Sequence, residues 1–61
     1  MDIRKGYYVK LYYLPEYLDG DSCYLEGRVS KVEKDGFFVK GKDCYEFVRW
    51  ESVVAYRLGK Y

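Results

Sequence analysis

The amino-acid sequence predicts an all-β fold, and three observations support that prediction. Nine tyrosines, three phenylalanines and one tryptophan make 21% of the chain aromatic, and alanine occurs once. Aromatic and β-branched residues suit a pleated, half-buried surface, whereas alanine is the best helix former. Hydrophobic and polar residues alternate with a period of two in several short runs, and residues typical of turns separate those runs.

Length and charge limit what such a chain can be. We expect 61 residues to form a single domain, residues 1–61, near the lower limit for a stable hydrophobic core. A hydrophobic content of 49% argues against intrinsic disorder. The net charge is +1, and the two signs alternate along the chain. This pattern is typical of a solvated mixed-charge surface rather than of a non-specific DNA-binding protein.

The sequence predicts an intracellular, cytoplasmic protein that does not enter a membrane. The first residues lead directly into a strand pattern without the apolar run of a signal peptide. No stretch approaches the ~18 apolar residues of a membrane span. In that compartment the two cysteines, Cys23 and Cys44, are expected to be reduced.

The first strand is predicted over residues 6–14. Tyr7, Val9, Leu11 and Tyr13 share one parity and are expected to face the core, because the other parity contains the only charge, Lys10. Pro15 ends the strand, since proline cannot donate to a ladder. Residues 15–22 are rich in turn formers and form a long loop, from which Tyr17 and Leu18 are expected to fold back over the domain.

The second strand is predicted from about Cys23 to Lys34, with a bulge or sharp bend near Ser30 and Lys31, because the apolar parity changes there. Asp35-Gly36 marks a β-hairpin turn. Connections of two or of four residues both place Val32, Phe37 and Val39 on one face, and both turn Phe38 away from it.

The last third of the chain is predicted as strand, short turn and strand. We favour a three-residue turn at 41–43, which pairs Val39 with Tyr45 and Phe37 with Phe47. A two-residue turn would instead place Phe37 opposite Glu46, which suits a core less well. Residues 50–53 fit a single helical turn, and Val54, Tyr56 and Leu58 alternate in a closing strand.

This layout resembles the small SH3-like and Sm-like barrels. The likeness lies in Leu-Glu-Gly-Arg-Val at 25–29, Gly-Phe-Phe-Val at 36–39 and Phe-Val-Arg-Trp-Glu-Ser-Val-Val-Ala-Tyr-Arg at 47–57. It implies a five-stranded barrel with a long loop after strand 1 and a short helical turn before the last strand. The chain departs from bacterial Sm-like RNA chaperones in having no N-terminal helix pattern and no histidine for the Lys-His pair beside their RNA pocket. The resemblance therefore does not extend RNA binding to this chain.

Neither catalysis nor a bound metal or cofactor is predicted. Histidine, the commonest general base and metal ligand, is absent. Cys23 and Cys44 have neither Cys-x-x-Cys spacing nor further ligands nearby, so we expect two partly buried thiols. A disulfide between them is disfavoured, because strands two apart in a regular sheet lie ~9–10 Å from each other and a bridge needs less than ~7 Å.

The tyrosines are the candidate functional residues, because thirteen aromatic side chains exceed what so small a core can hold. Tyrosine provides rigid contact area with a polar tip, which favours protein recognition. Stacking on single-stranded nucleic acid is a second interpretation, and rings that only cap the barrel ends are a third. The predicted partner-binding residues are Tyr8, Lys10, Tyr12, Tyr17 and Trp50, and the candidate phosphate contacts are Arg49 and Arg57.

The sequence thus predicts a small non-catalytic protein-binding module. Inhibitors or adaptors that phages and mobile elements direct at host proteins are a precedent for such miniature domains. A nucleic-acid-binding barrel is the first alternative. A homo-oligomer, formed through exposed edge strands or through the tyrosines, is the second, since association would supplement a thin core.

Overall fold

Five antiparallel strands form one sheet in the computed structural model, which describes residues 2–15 and 21–59. The strands are β1 Tyr8–Tyr13, β2 Cys23–Val32, β3 Gly36–Lys40, β4 Tyr45–Arg49 and β5 Val53–Gly59. A 3-10 helix, Trp50–Ser52, connects β4 to β5. The all-β prediction and the helical turn before the last strand are confirmed.

The sheet has the order β4-β3-β2-β1-β5, so β4 and β5 are its two edges. Within the described residues these edges do not pair with each other, and the sheet is not closed. The predicted barrel closure is therefore not confirmed. Most of the predicted long loop, including Tyr17 and Leu18, lies outside the described residues.

Strand β1 follows the predicted parity. Val9 and Leu11 are buried, whereas Lys10 and Tyr12 are exposed. The strand ends at Tyr13, two residues before Pro15, in agreement with the loss of a backbone donor at proline. Tyr7 has the inward parity but lies before the ladder begins, and 36% of it remains exposed.

Strand β2 contains the predicted bend. Its register with β3 shifts between Val29 and Lys31, at the position where the apolar parity changes. Beyond the shift Val32 pairs with Phe37, but Val32 is 40% exposed because it lies at the end of the strand. Gly27 allows β3 to approach, since a Cβ at this position would lie 2.5 Å from the carbonyl oxygen of Lys40.

The β2–β3 hairpin pairs Val32 with Phe37, as in the four-residue alternative. Because Gly36 already belongs to β3, residues 33–35 lie between the two strands. The Glu33 backbone N–H donates to the Gly36 carbonyl at 2.7 Å, which puts Lys34 and Asp35 at the tip rather than Asp35 and Gly36. Gly36 is buried in β3 instead, where a Cβ would collide with the Val48 carbonyl oxygen. The hairpin prediction is confirmed, and of the two connections that the sequence leaves open the structure has the one that pairs Val32 with Phe37.

The predicted β3–β4 register is wrong. Lys40 pairs with Tyr45, so the connection has four residues, 41–44, rather than three or two. The Gly41 backbone N–H closes it by donating to the Cys44 carbonyl at 2.8 Å. This register sets Phe37 opposite Val48 in the core and moves Phe47 to the outer face.

The core lies on the inner face of the sheet. Phe37 is its largest fully buried side chain, and the Trp50 ring packs on it with centroids 4.7 Å apart. The Trp50 indole Nε1 donates to the Glu33 carbonyl at 3.1 Å, which satisfies its only polar atom. The buried hydrophobic residues are Ile3, Val9, Leu11, Leu25, Val29, Phe37, Val39 and Val48.

Candidate functional site

The outer face of β1, β2 and β5 brings several tyrosines and charges together. Lys10 lies between Glu26 on β2 and Arg57 on β5, and Tyr12 lies opposite Tyr24. Tyr8 is one step further along β1, on the same face. We call this surface the tyrosine face, and it comprises Tyr8, Lys10, Tyr12, Tyr24, Glu26 and Arg57.

Glu26 organises the tyrosine face by accepting two hydrogen bonds. The Tyr8 hydroxyl donates to Oε2 of Glu26, and the Tyr24 hydroxyl donates to Oε1 at 2.9 Å. Both oxygens of one carboxylate are therefore engaged by rings from neighbouring strands. Because each bond restricts a ring that would otherwise rotate in solvent, the face is held in one arrangement.

The same bonds alter the acidity of the groups that make them. The hydroxyls of Tyr8 and Tyr24, with a contribution from Lys10, lower the pKa of Glu26 below its ordinary value. Partial removal from water and the hydrogen bond to Glu26 raise the pKa of Tyr24. At neutral pH Glu26 is thus a carboxylate and Tyr24 a neutral donor, which is the pair of states that the bond requires.

Tyr12 and Tyr24 form the exposed aromatic part of this face. Their ring centroids lie 5.2 Å apart at an interplanar angle of 58°, a tilted arrangement that aromatic pairs favour. About half of each residue, 49% and 50%, remains accessible. These rings support each other and still present a large contact area.

The structure brings four of the predicted site residues together and places two elsewhere. Tyr8, Lys10, Tyr12 and Arg57 share the tyrosine face. Trp50 packs against the core residue Phe37, and Arg49 lies on the edge strand β4, 3.9 Å from Glu51. Tyr17 lies outside the described residues.

Sequence reasoning missed Tyr24 and Glu26. Both lie on β2 with the parity opposite to that of Leu25 and Gly27, so their outward orientation could have been predicted. Their pairing with Tyr12 and Lys10 depends on the β1–β2 register, which the intervening loop leaves open. The available signal was that Tyr24 and Glu26 lie two residues apart on the strand that follows Tyr8 and Tyr12 in the chain.

A second aromatic cluster lies on the outer face of β3 and β4, and it comprises Phe38, Tyr45 and Phe47. The Phe38 ring stacks on Tyr45 at 5.5 Å and meets Phe47 at 4.8 Å. The Ser30 hydroxyl donates to the Tyr45 hydroxyl at 3.3 Å. This cluster follows from the corrected β3–β4 register, and it provides a natural comparison surface for the tyrosine face.

The two cysteines are exposed free thiols, so the prediction of partly buried thiols is wrong. Cys23 is the first residue of β2, opposite Tyr13 at the end of β1, and Cys44 lies in the connection before β4, so both lie at the ends of strands rather than in the middle of the sheet. Burial, with smaller contributions from Glu46, Cys23 and Cys44, raises the pKa of Tyr13.

Residues 2–15 and 21–59 contain no cluster of three or more potential metal ligands.

No helix in the described part of the chain is long and apolar enough to cross a membrane. Compared with known proteins, the chain matches no family model, no curated protein and no solved structure.

Proposed function

We propose that this chain is a small non-catalytic protein-binding module whose tyrosine face is the contact surface. The observation that supports the proposal is the pair Tyr12 and Tyr24, half exposed and held by each other and by Glu26. Binding energy at protein interfaces is concentrated in a few residues, and tyrosine is enriched among them.

Preorganisation is the physical reason for choosing this surface. A side chain that becomes fixed on binding costs about 0.5–1.5 kcal/mol of conformational free energy. Tyr8 and Tyr24 are already fixed by Glu26, and Tyr12 is fixed by packing on Tyr24. These rings therefore lose little freedom when a partner covers them.

An SH3-like small barrel is the scaffold that we propose for this face. The strand order β4-β3-β2-β1-β5 and the 3-10 helix before β5 support it, as does the bend in β2 at Val29–Lys31. We place the module inside the cell, as an adaptor or as an inhibitor of another protein. On such a scaffold the function belongs to the surface side chains and does not follow from the fold.

The test is affinity capture from cell lysate with the wild-type chain and two single variants, each with and without nuclease. Tyr12→Ala removes half of the exposed ring pair and should weaken capture by about 30-fold or more, since a binding hot spot contributes about 2 kcal/mol. The matched control is Phe47→Ala, because Phe47 is an exposed ring that packs on Phe38 in the second aromatic cluster and is not the strand partner of any cation of the tyrosine face. It should leave capture unchanged.

Both variants should remain folded, because losing a cross-strand pair costs about 0.2–1 kcal/mol. A protein that Tyr12→Ala captures as well as the wild type does would argue against the tyrosine face. Capture that nuclease abolishes, together with direct binding of a labelled oligonucleotide, would favour the nucleic-acid alternative, with Lys10 and Arg57 as phosphate contacts.

Self-association through β5 is a second candidate, favoured by one separate observation. Among the described residues β5 pairs with β1 only, and its residues Val54, Tyr56 and Leu58 are between 40% and 59% exposed. An apolar edge strand of this kind is a template for pairing with another chain. Sedimentation over a concentration series should then detect a dimer that Leu58→Lys disrupts, whereas a wild-type monomer at all concentrations would exclude it.

A further inference from the structure

A cleft of about 600 Å³ adjoins the tyrosine face where β2 meets β3. Tyr8 and Glu26 belong to both surfaces, so the cleft continues the face rather than forming a separate site. Gly27 and Gly41 allow the backbone to approach closely beside the cleft, because a Cβ at Gly27 would lie 2.5 Å from the Lys40 carbonyl oxygen and one at Gly41 would lie 3.0 Å from the Glu26 carbonyl oxygen. The cleft is lined by Tyr8, Glu26, Gly27, Arg28, Lys40, Gly41 and Lys42.

The charge of this combined surface differs from that of the chain. The chain as a whole is nearly neutral, with eleven basic and ten acidic residues. Within the face and the cleft, one carboxylate, Glu26, accompanies five cations, and both of its oxygens already accept hydrogen bonds from tyrosines. These cations are Lys10, Arg28, Lys40, Lys42 and Arg57.

Most of these cations have no ion-pair partner that would neutralise them. Across residues 2–15 and 21–59 no carboxylate lies within ion-pair distance of Lys10, Lys40, Lys42 or Arg57, and all four are exposed. Arg28 donates to the Gly6 carbonyl at 2.7 Å, so its guanidinium is held beside the cleft. Cations that outnumber the carboxylates on one surface raise the local concentration of an acidic partner.

We infer that the cleft and the tyrosine face together bind an acidic protein segment, whose carboxylates contact Lys40 and Lys42 while its apolar side chains pack on Tyr12 and Tyr24. This inference rests on the proposed function and adds the chemistry of the partner to it. The cleft supplies charge complementarity, and the rings supply the contact area.

A protein segment fits this surface better than a nucleic acid does. Glu26 lines the cleft and lies opposite Lys10, so a phosphate backbone that follows the cations would have to pass its carboxylate, which repels it. Tyr12 and Tyr24 are tilted by 58° and cover part of each other, so they do not offer parallel platforms for successive bases. A peptide can present acidic groups to the lysines and a neutral or donor group to Glu26.

The experiment selects a random-peptide display library on the immobilised full chain and measures the recovered peptides by fluorescence anisotropy. We expect them to be enriched in Asp and Glu over the unselected library. The double variant Lys40→Glu/Lys42→Glu should weaken their binding by about tenfold, because it replaces two attractions with repulsions. Lys42→Glu alone, in the exposed turn, should act in the same direction with a smaller effect.

The matched control is Lys31→Glu/Lys34→Glu, which makes the same change in net charge at exposed lysines of the β2–β3 hairpin. It should change peptide affinity by less than about twofold, since neither lysine lines the cleft or belongs to the tyrosine face and an exposed charge without direct contact contributes little. An equal loss of peptide affinity in both double variants would mean that net charge alone explains the effect, and it would overturn the inference. Thermal unfolding followed by circular dichroism checks that all variants are folded.

The remaining outcomes separate this inference from the function on which it rests. If the recovered peptides are not enriched in acidic residues but their binding still depends on Tyr12, the inference of an acidic partner is wrong. The proposal of a protein-binding module would then still hold. Binding of a labelled oligothymidylate that Lys40→Glu/Lys42→Glu abolishes would overturn both.

Discussion

Strands β3 and β5 have a similar apolar content but opposite environments. Phe37 and Val39 of β3 are fully buried, whereas Tyr56 and Leu58 of β5 are 40% and 41% exposed. β3 lies between β2 and β4, whereas β5 lies at the edge and, in the part of the chain that the structure describes, pairs with β1 alone. Position in the sheet, rather than hydrophobicity, decides which apolar side chains lose contact with water. Equal changes in the two strands should therefore have unequal effects.

The largest difference is expected for truncation of a large apolar side chain in each strand. Phe37→Ala should reduce the free energy of unfolding by about 3–5 kcal/mol, because it empties the centre of the core and removes the support of Trp50. Leu58→Ala should cost about 1 kcal/mol, since its side chain is only partly buried. Urea denaturation followed by circular dichroism measures both, and similar losses would contradict the comparison.

A smaller difference is expected for glycine substitution. Gly36→Ala places a Cβ against the Val48 carbonyl and should cost about 1–3 kcal/mol, because β3 and β4 must separate to accept it. Gly59→Ala, in β5, meets the Tyr8 ring at 3.2 Å, a contact that a shift of a few tenths of an ångström relieves while Tyr8 keeps its hydrogen bond to Glu26. Its cost should stay below about 0.5 kcal/mol. Melting temperatures rank the two variants, and the reverse order would refute the close approach at Gly36.

The 3-10 helix that leads into β5 packs against the β3 residue Phe37, and its hydrogen bond is expected to contribute less to the free energy of unfolding. Trp50→Phe keeps a ring on Phe37 but removes the hydrogen bond to the Glu33 carbonyl, so it should cost about 1 kcal/mol. Glu33→Ala is the control, because the acceptor is backbone and the variant loses only an exposed ion pair with Lys31. Urea denaturation should show no more than about 0.5 kcal/mol for this control. Equal costs would mean that the hydrogen bond from the indole to the Glu33 carbonyl does not stabilise the packing of the 3-10 helix on the β2–β3 hairpin.

The smallest effect on stability is expected at Glu26, far from the core. Its folded-state pKa lies below the ordinary 4.5, so the stability that it contributes is present above that value and is lost as the pH falls through the lowered one. Glu26→Gln should therefore flatten the acid side of a plot of melting temperature against pH. A second readout is the ultraviolet titration of tyrosine, in which Tyr24 should ionise at lower pH in this variant. An unchanged tyrosine titration would contradict the Tyr24–Glu26 bond.

Sequence reasoning succeeded where neighbouring residues decide the outcome. The inward parity of Val9 and Leu11 and the bend between Val29 and Lys31 follow from alternation within one strand. The turn after Val32 and the helical turn at Trp50 follow from local residue preferences. Tyr8, Lys10 and Tyr12 were placed on one face for the same reason, since residues two apart in a strand point to the same side.

Sequence reasoning failed where two separate segments decide the outcome. One residue more in the 41–44 connection than predicted moved Phe47 out of the core and brought Val48 in, because a one-residue slip reverses every side chain of a strand. The contacts of the Trp50 ring with Phe37 and of its N–H with the Glu33 carbonyl likewise join segments that are distant in sequence, so no local pattern indicates them.

The amino-acid sequence by itself therefore determined the strand class, the faces of β1 and β2 and the excess of aromatic rings over core volume. The tertiary structure alone decided which of those rings meet. The Tyr12 ring packs on Tyr24, and Glu26 accepts a hydrogen bond from Tyr8, only because the β1–β2 register brings these residues close to one another. The exposure of β5 likewise depends on sheet order. The physical reason is range: side-chain direction is set by neighbours along the backbone, whereas pairing and burial depend on segments that are distant in sequence.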